Sequence, residues 1–229
     1  MQMPDFAQVG EPPFDEKDLR FLFEHFPVPG IDPAQAVQMV HERPTTLESL
    51  LESDFVVDAI RDQQTMWLEV SPRLFFDILL RRALPGRRHA QERRTIHYLA
   101  HLLGLFTRAE RLYSVQPDEA QRFQYLVDLV AEAAQAGPER GFVVHSHIGN
   151  YALFLAGICR DWIDARHRYK RRPVDLEYYC KMGSSYYFTA SRHRMAETLG
   201  VRDVFRDLAQ RFHYYRDGLE RMQADFVRH

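Results

Sequence analysis

GFVVHSHIGNYALFLAGIC, residues 141–159, runs for nineteen positions without an Asp, Glu, Lys or Arg. Such a stretch can span a membrane, which takes about 20 apolar residues. It can also hold a metal through His145-x-His147, or form the core of a soluble fold. At about 100° per residue, Val144, Ile148, Tyr151, Leu155, Ile158, Cys159 and Trp162 share one face. Gly149, Ala152 and Ala156 form a second face of small side chains, with His145 among them. Ser146, Asn150 and Gly157 fill a narrow polar wedge. Two histidines, a serine and an asparagine are costly in lipid unless each faces a partner helix, and the sequence has no second apolar span to supply one. The stretch therefore reads as the central apolar helix of a bundle, over about residues 142–167. His145 and His147 diverge by about 200° on that helix, so one metal cannot take both, and no metal or cofactor is expected.

The small-residue face asks for a close neighbour. Residues 174–199 continue helical periodicity beyond the basic connector RYKRRP (168–173), and Tyr179, Gly183, Tyr186, Ala190 and His193 share a face there. An antiparallel hairpin about the connector sets Ala156 opposite Gly183 and Gly149 opposite Ala190. Cys159 and Cys180 fall at one height but on opposite flanks, which predicts two buried thiols rather than a disulfide.

These segments also carry a resemblance. HIGNYALFLAG (147–157) and VDLEYYCKMGSSYYFTA (174–190) resemble an uncharacterised family of bacterial helical proteins. In that family a G-[DN]-x-[AS]-L-[FY] segment precedes a YYxxxG element. The likeness covers about residues 145–192; it implies a helical fold and bacterial origin and carries no activity.

Helix punctuation recurs along the chain. DEKDLRFLFEHF (15–26) is amphipathic, and Asp32-Pro33 supplies a cap and a first-turn proline for a helix to Arg43. Thr45-Thr46-Leu47-Glu48 has capping-box spacing, with a further helix from Ser53 toward Val70. Ser71-Pro72 opens another, closed by Pro85-Gly86. Residues 88–106 follow, then a helix from Pro117 to Gly137, and Gly200 separates 174–199 from a last helix over 202–226. Strand-like alternation is absent. The expected fold is all-α: a single-domain multi-helix bundle of about eight helices over 15–229, preceded by a flexible or surface-clinging acidic tail over 1–14.

Across 229 residues the net charge is −2, but residues 1–60 hold twelve acids against three cations. That segment is thus −9 and the remainder +7, a split that predicts an acidic N-terminal part docked on a basic body. Two cysteines and no signal-peptide pattern point to a cytoplasmic protein.

The best site candidate is a ligand pocket between 142–167 and 174–199, lined by His145, Gly149, Tyr179, Gly183, Tyr186 and His193. His97 and His101, four apart, point away from their helix's core face toward solvent or an interface. Arginine clusters at Arg87, Arg88, Arg93 and Arg94, and at Arg168, Arg171 and Arg172, form candidate anion-binding surfaces. They show no DNA-reading helix. Phosphate-loop, HExxH, CxxC and GxSxG motifs are missing, so no catalytic residue is named. The function these observations favour is a helical binding or scaffold protein that associates with itself or another protein. A His/Tyr pocket is the alternative reading, and binding of a polyanion or nucleic acid a further one.

Overall fold

Ser71 and Pro72 show how local sequence starts an element. Ser71 Oγ accepts from Leu74 N–H, and Pro72 fills the first helical position, where a missing N–H costs nothing. The structure, a computed structural model, describes residues 3–8, 14–25, 44–61, 70–86, 89–117, 119–170 and 174–227. Among them are a short 3-10 turn (Asp5–Ala7) and thirteen α-helices. The helices are α1 (Glu16–Glu24), α2 (Pro44–Leu51), α3 (Asp54–Arg61), α4 (Pro72–Ala83), α5 (Ala90–Phe106), α6 (Ala109–Tyr113) and α7 (Leu126–Gln135). They continue as α8 (Pro138–Ile158), α9 (Arg160–Lys170), α10 (Leu176–Ser191), α11 (Arg194–Thr198), α12 (Arg202–Gln210) and α13 (Phe212–Val227). The class is the all-α bundle expected. The helix expected from Asp32 to Arg43 lies outside the described residues.

The count exceeds eight in part because the short α6 was not expected and because three long helices break without a glycine or proline at the break. The central one breaks at Cys159, whose φ and ψ of −110° and 30° leave the helical region. Arg211 breaks the last at −116° and 31°. His193 turns extended, and its Nδ1 accepts from Met195 N–H at 3.1 Å, so a side chain replaces the helical ladder. Gly200 behaves as the sequence suggests. At φ 68° it closes a Schellman turn, with Gly200 N–H on Glu197 O and Val201 N–H on Ala196 O.

The helix expected from Pro117 starts at Leu126 instead. Phe123 is buried, its N–H donates to Tyr113 O, and Tyr151 Oη donates to Gln124 O. Burying that ring in an extended segment outweighs the proline's helix-start signal.

Two hydrophobic clusters share α4. Leu80, Ala83 and Leu84 belong to the main cluster, built around α8 with α5, α10, α12 and α13. Leu74, Phe75 and Ile78 belong to a second cluster with Leu19, Leu22, Leu50, Leu51, Val56 and Ile60. Residues 3–8, within the stretch expected as a tail, are anchored. Phe6 is buried against Phe142 and Phe205, and Asp5 pairs with Arg111.

Charge stitches the second cluster to the body, as the sequence's charge split suggests. Asp77 is fully buried and accepts from Arg81 Nε at 2.6 Å. His97 Nδ1 lies 2.5 Å from its other oxygen. Arg81 Nη1 reaches Glu48 at 2.7 Å, and Arg82 pairs with Asp54. His97 and His101 therefore face an interface, His101 Nε2 meeting Asp5 O at 2.8 Å.

The buried pair sets a pH window. Asp77 is desolvated, which by itself would raise it, but His97 and Arg81 outweigh that and hold it down to about 2. His97 is likewise desolvated, yet Asp77 pushes it up to about 9. The His97 contribution is fully present below its unfolded value near 6.5 and lost as pH rises through about 9. The Asp77 contribution is present above 3.8 and lost as pH falls toward about 2. Urea midpoints of the wild type should fall from about pH 6.5 to about pH 9, and His97→Asn should flatten that limb. Identical alkaline slopes would show that His97 is not charged in the folded state.

Candidate functional site

The candidate pocket residues divide between packing and exposure. Gly149 and Gly183 are both buried contact points. A Cβ on Gly149 would lie 2.7 Å from the Tyr187 ring, and one on Gly183 would meet the Phe212 ring and, at 3.0 Å, Ala152. α8 and α10 pack against each other, and they run antiparallel, since Gly149 meets Tyr187 while the later Ala152 meets the earlier Gly183. Their register is one turn away from the one expected: Gly149 meets Tyr187 rather than Ala190, and Gly183 meets Ala152 rather than Ala156. Small still faces small where Gly183 meets Ala152, but both glycines also accept an aromatic ring, Tyr187 at Gly149 and Phe212 at Gly183.

His145, Tyr186 and His193 do gather at one end of this helix pair. The His145 and Tyr186 rings sit 5.3 Å apart, and the His193 ring packs 5.3 Å from Phe142. Burial and the neighbouring His193 lower the His145 pKa, so its ring is held toward the neutral form. Tyr179 stands apart from them, at the opposite end of α10.

His147 occupies the other side of α8, only 2% exposed. Phe106 meets its ring edge-on at 6.2 Å and Tyr151 stacks at 6.3 Å. Burial, reinforced by Arg111, pushes its pKa down to about 3. One ring nitrogen bonds the Leu112 carbonyl, while Nε2 has no partner. The two histidines of the His-x-His stretch thus serve opposite faces, as helical spacing requires.

Of the candidate anion-binding arginines, Arg93 lies 3.5 Å from Glu48 and Arg94 Nη2 donates to Gly200 O. Arg87, Arg88, Arg171 and Arg172 lie outside the described residues, as does the side chain of Arg168.

A cleft opens at the Tyr179 end, between the start of α7, α9 and the start of α10. Tyr125, Leu126, Val127, Trp162, Ile163, Val174, Tyr178 and Tyr179 line it, enclosing about 80 Å³. Trp162 is 40% exposed and Val127 64%. The Tyr178 and Tyr179 rings meet edge-to-face at 6.2 Å. Of the residues expected to line a pocket between 142–167 and 174–199, only Tyr179 lines this cleft. Tyr125 and Val127 were missed because they reach the cleft only through the late start of α7.

A second gathering joins α10 to α13. Ligand atoms of Glu177, Cys180 and His213 all lie within 4.8 Å of one another. Cys180 is buried, and Arg216 Nη1 approaches its Sγ at 3.7 Å. Cys159 is likewise a free thiol.

No family model, curated protein or solved structure matches this chain. Its function must be read from its own surface and sites.

The neutral state of His147 is directly measurable. Its ring resonances should stay fixed from about pH 8 to about pH 5, below the ordinary histidine midpoint. A midpoint near 6.5 would mean that water reaches the ring.

Proposed function

We propose that the chain is a helical binding protein that self-associates, using the aromatic cleft as a socket for a side chain of a second copy. The observation that carries this reading is the size of the cleft. Sites for drug-sized ligands occupy about 300–1,000 Å³, whereas about 80 Å³ accepts one apolar side chain. A rim of exposed Trp162 and Tyr125 around such a socket has the composition of protein-interface hot spots.

Helix α10 supplies both halves of a self-complementary contact. Phe188, 49% exposed, lies ten residues beyond Tyr178, about 15 Å along the helix. If two copies of α10 pair antiparallel about a two-fold axis, each Phe188 comes to the height of the other's Tyr178. The same pairing sets the exposed Asp175 of one copy near Arg192 and Arg194 of the other. Opposite charges then meet at both ends, which favours this orientation over a parallel one.

Among the described residues no helix is long and apolar enough to cross a membrane. The two free thiols suit a reducing compartment, which supports placing this association in the cytoplasm.

Light scattering coupled to size-exclusion chromatography tests the reading. The wild type should run as a dimer. Phe188→Glu should run as a monomer with unchanged helical content, because that side chain is half exposed, and should melt lower only at concentrations where the wild type is dimeric. Dimers that persist in Phe188→Glu, or a wild type that stays monomeric at high concentration, would refute it.

A further inference from the structure

We propose that Glu177, Cys180 and His213 form a Zn²⁺ site that bridges α10 and α13. The inference stands apart from self-association and rests on the chemistry and placement of three different donors. Glu177 and Cys180 are three residues apart and so share one face of α10. His213, at the start of α13, brings an imidazole to that face from a helix more than thirty positions later in the chain. Their ligand atoms already lie within 4.8 Å of one another.

Tetrahedral zinc, with bonds of about 2.3 Å to sulfur and about 2.0–2.1 Å to nitrogen, sets its ligands roughly 3.5 Å apart. Closing from 4.8 Å needs about 1 Å of movement. The exposed Glu177 and His213 side chains can rotate to supply it, while the buried Cys180 stays fixed.

The donor set selects the metal class. Thiolate and imidazole disfavour Mg²⁺ and Ca²⁺, which take oxygen ligands, and suit Zn²⁺. One thiolate and one carboxylate with a neutral imidazole balance the charge of a divalent ion. Three protein donors leave a fourth position for water, the arrangement of an open zinc site.

Neighbouring charges fit the same picture. Arg216 points Nη1 at Cys180 Sγ, so a cation already serves the sulfur. Its Nε also donates to Asp217 at 2.8 Å, which holds the guanidinium when a metal takes over the sulfur. Lys181 lies 4.0 Å from Glu177 and must yield that carboxylate to the ion. Burial raises the Cys180 thiol pKa, partly offset by Arg216, so metal binding displaces a proton from the sulfur.

Cobalt serves as the probe, since Co²⁺ takes zinc's geometry and absorbs. The full chain, stripped with chelator, should bind a single equivalent of Co²⁺ with a thiolate-to-cobalt charge-transfer band, which added Zn²⁺ removes. Cys180→Ser should abolish the band and Cys159→Ser should leave it unchanged. His213→Ala, at an exposed position, should weaken binding by more than the roughly 100-fold upper end for loss of an outer-shell partner. It decides the matter even if Cys180→Ser does not fold. Absence of saturable cobalt binding, or binding that survives both variants, would overturn the site.

Discussion

The fold depends on one contact between α8 and α10. Gly149 has no side chain where the Tyr187 ring lies, and the next residue, Asn150, accepts that ring's hydroxyl at 2.8 Å. Tyr98 from α5 donates to the same amide oxygen at 2.7 Å. Phe205 from α12 packs against both tyrosine rings, each 5.5 Å away. Four helices thus meet through two adjacent residues of α8, one giving room and the other an acceptor. All three polar partners, Tyr98, Tyr187 and Asn150, are buried, and burial keeps both phenols in their neutral, donating form. A hydroxyl left without its partner in such a core costs about 1–3 kcal/mol. The polar pair therefore specifies which way Tyr187 must enter.

The second cluster is joined by different physics. Its apolar residues pack on α4, but the seam toward α5 is ionic, with Asp77, Arg81, His97 and Glu48 in one network. Removing one member of a buried pair leaves an uncompensated charge and typically costs about 3–5 kcal/mol. Asp18 adds a further tie. Its carboxylate accepts both Ser71 N–H and Ser71 Oγ–H at the start of α4, where the helix dipole favours negative charge. The body is specified by shape, and the docked N-terminal part by charge.

Much of this was legible in the sequence. The cap at Ser71-Pro72, the stop at Gly200, the central apolar helix and the antiparallel α8–α10 pair all follow from local patterns. The breaks at Cys159, His193 and Arg211 did not, because no glycine or proline marks them; tertiary packing sets them. The register was one turn off for an instructive reason. Small residues were matched to small residues, which holds only for Gly183 against Ala152, whereas each glycine also receives an aromatic ring, Tyr187 or Phe212. The cleft was legible only through Tyr179, since Tyr125 and Val127 come from a helix whose start tertiary packing moved. Nothing local joins His213 to Cys180.

The small-for-large packing of α8 also fixes the surfaces proposed to act. It sets the height and rotation of α10, and with them the socket at Tyr178 and Tyr179 and the exposed Phe188. The most direct test is the melting temperature of Gly149→Ala. In an open helix interior this change stabilises by about 1 kcal/mol through helix propensity. Against the hydrogen-bonded Tyr187 ring it should instead cost about 1–3 kcal/mol through overpacking, a melting temperature several degrees below wild type. A melting temperature equal to or above that of the wild type would contradict the account.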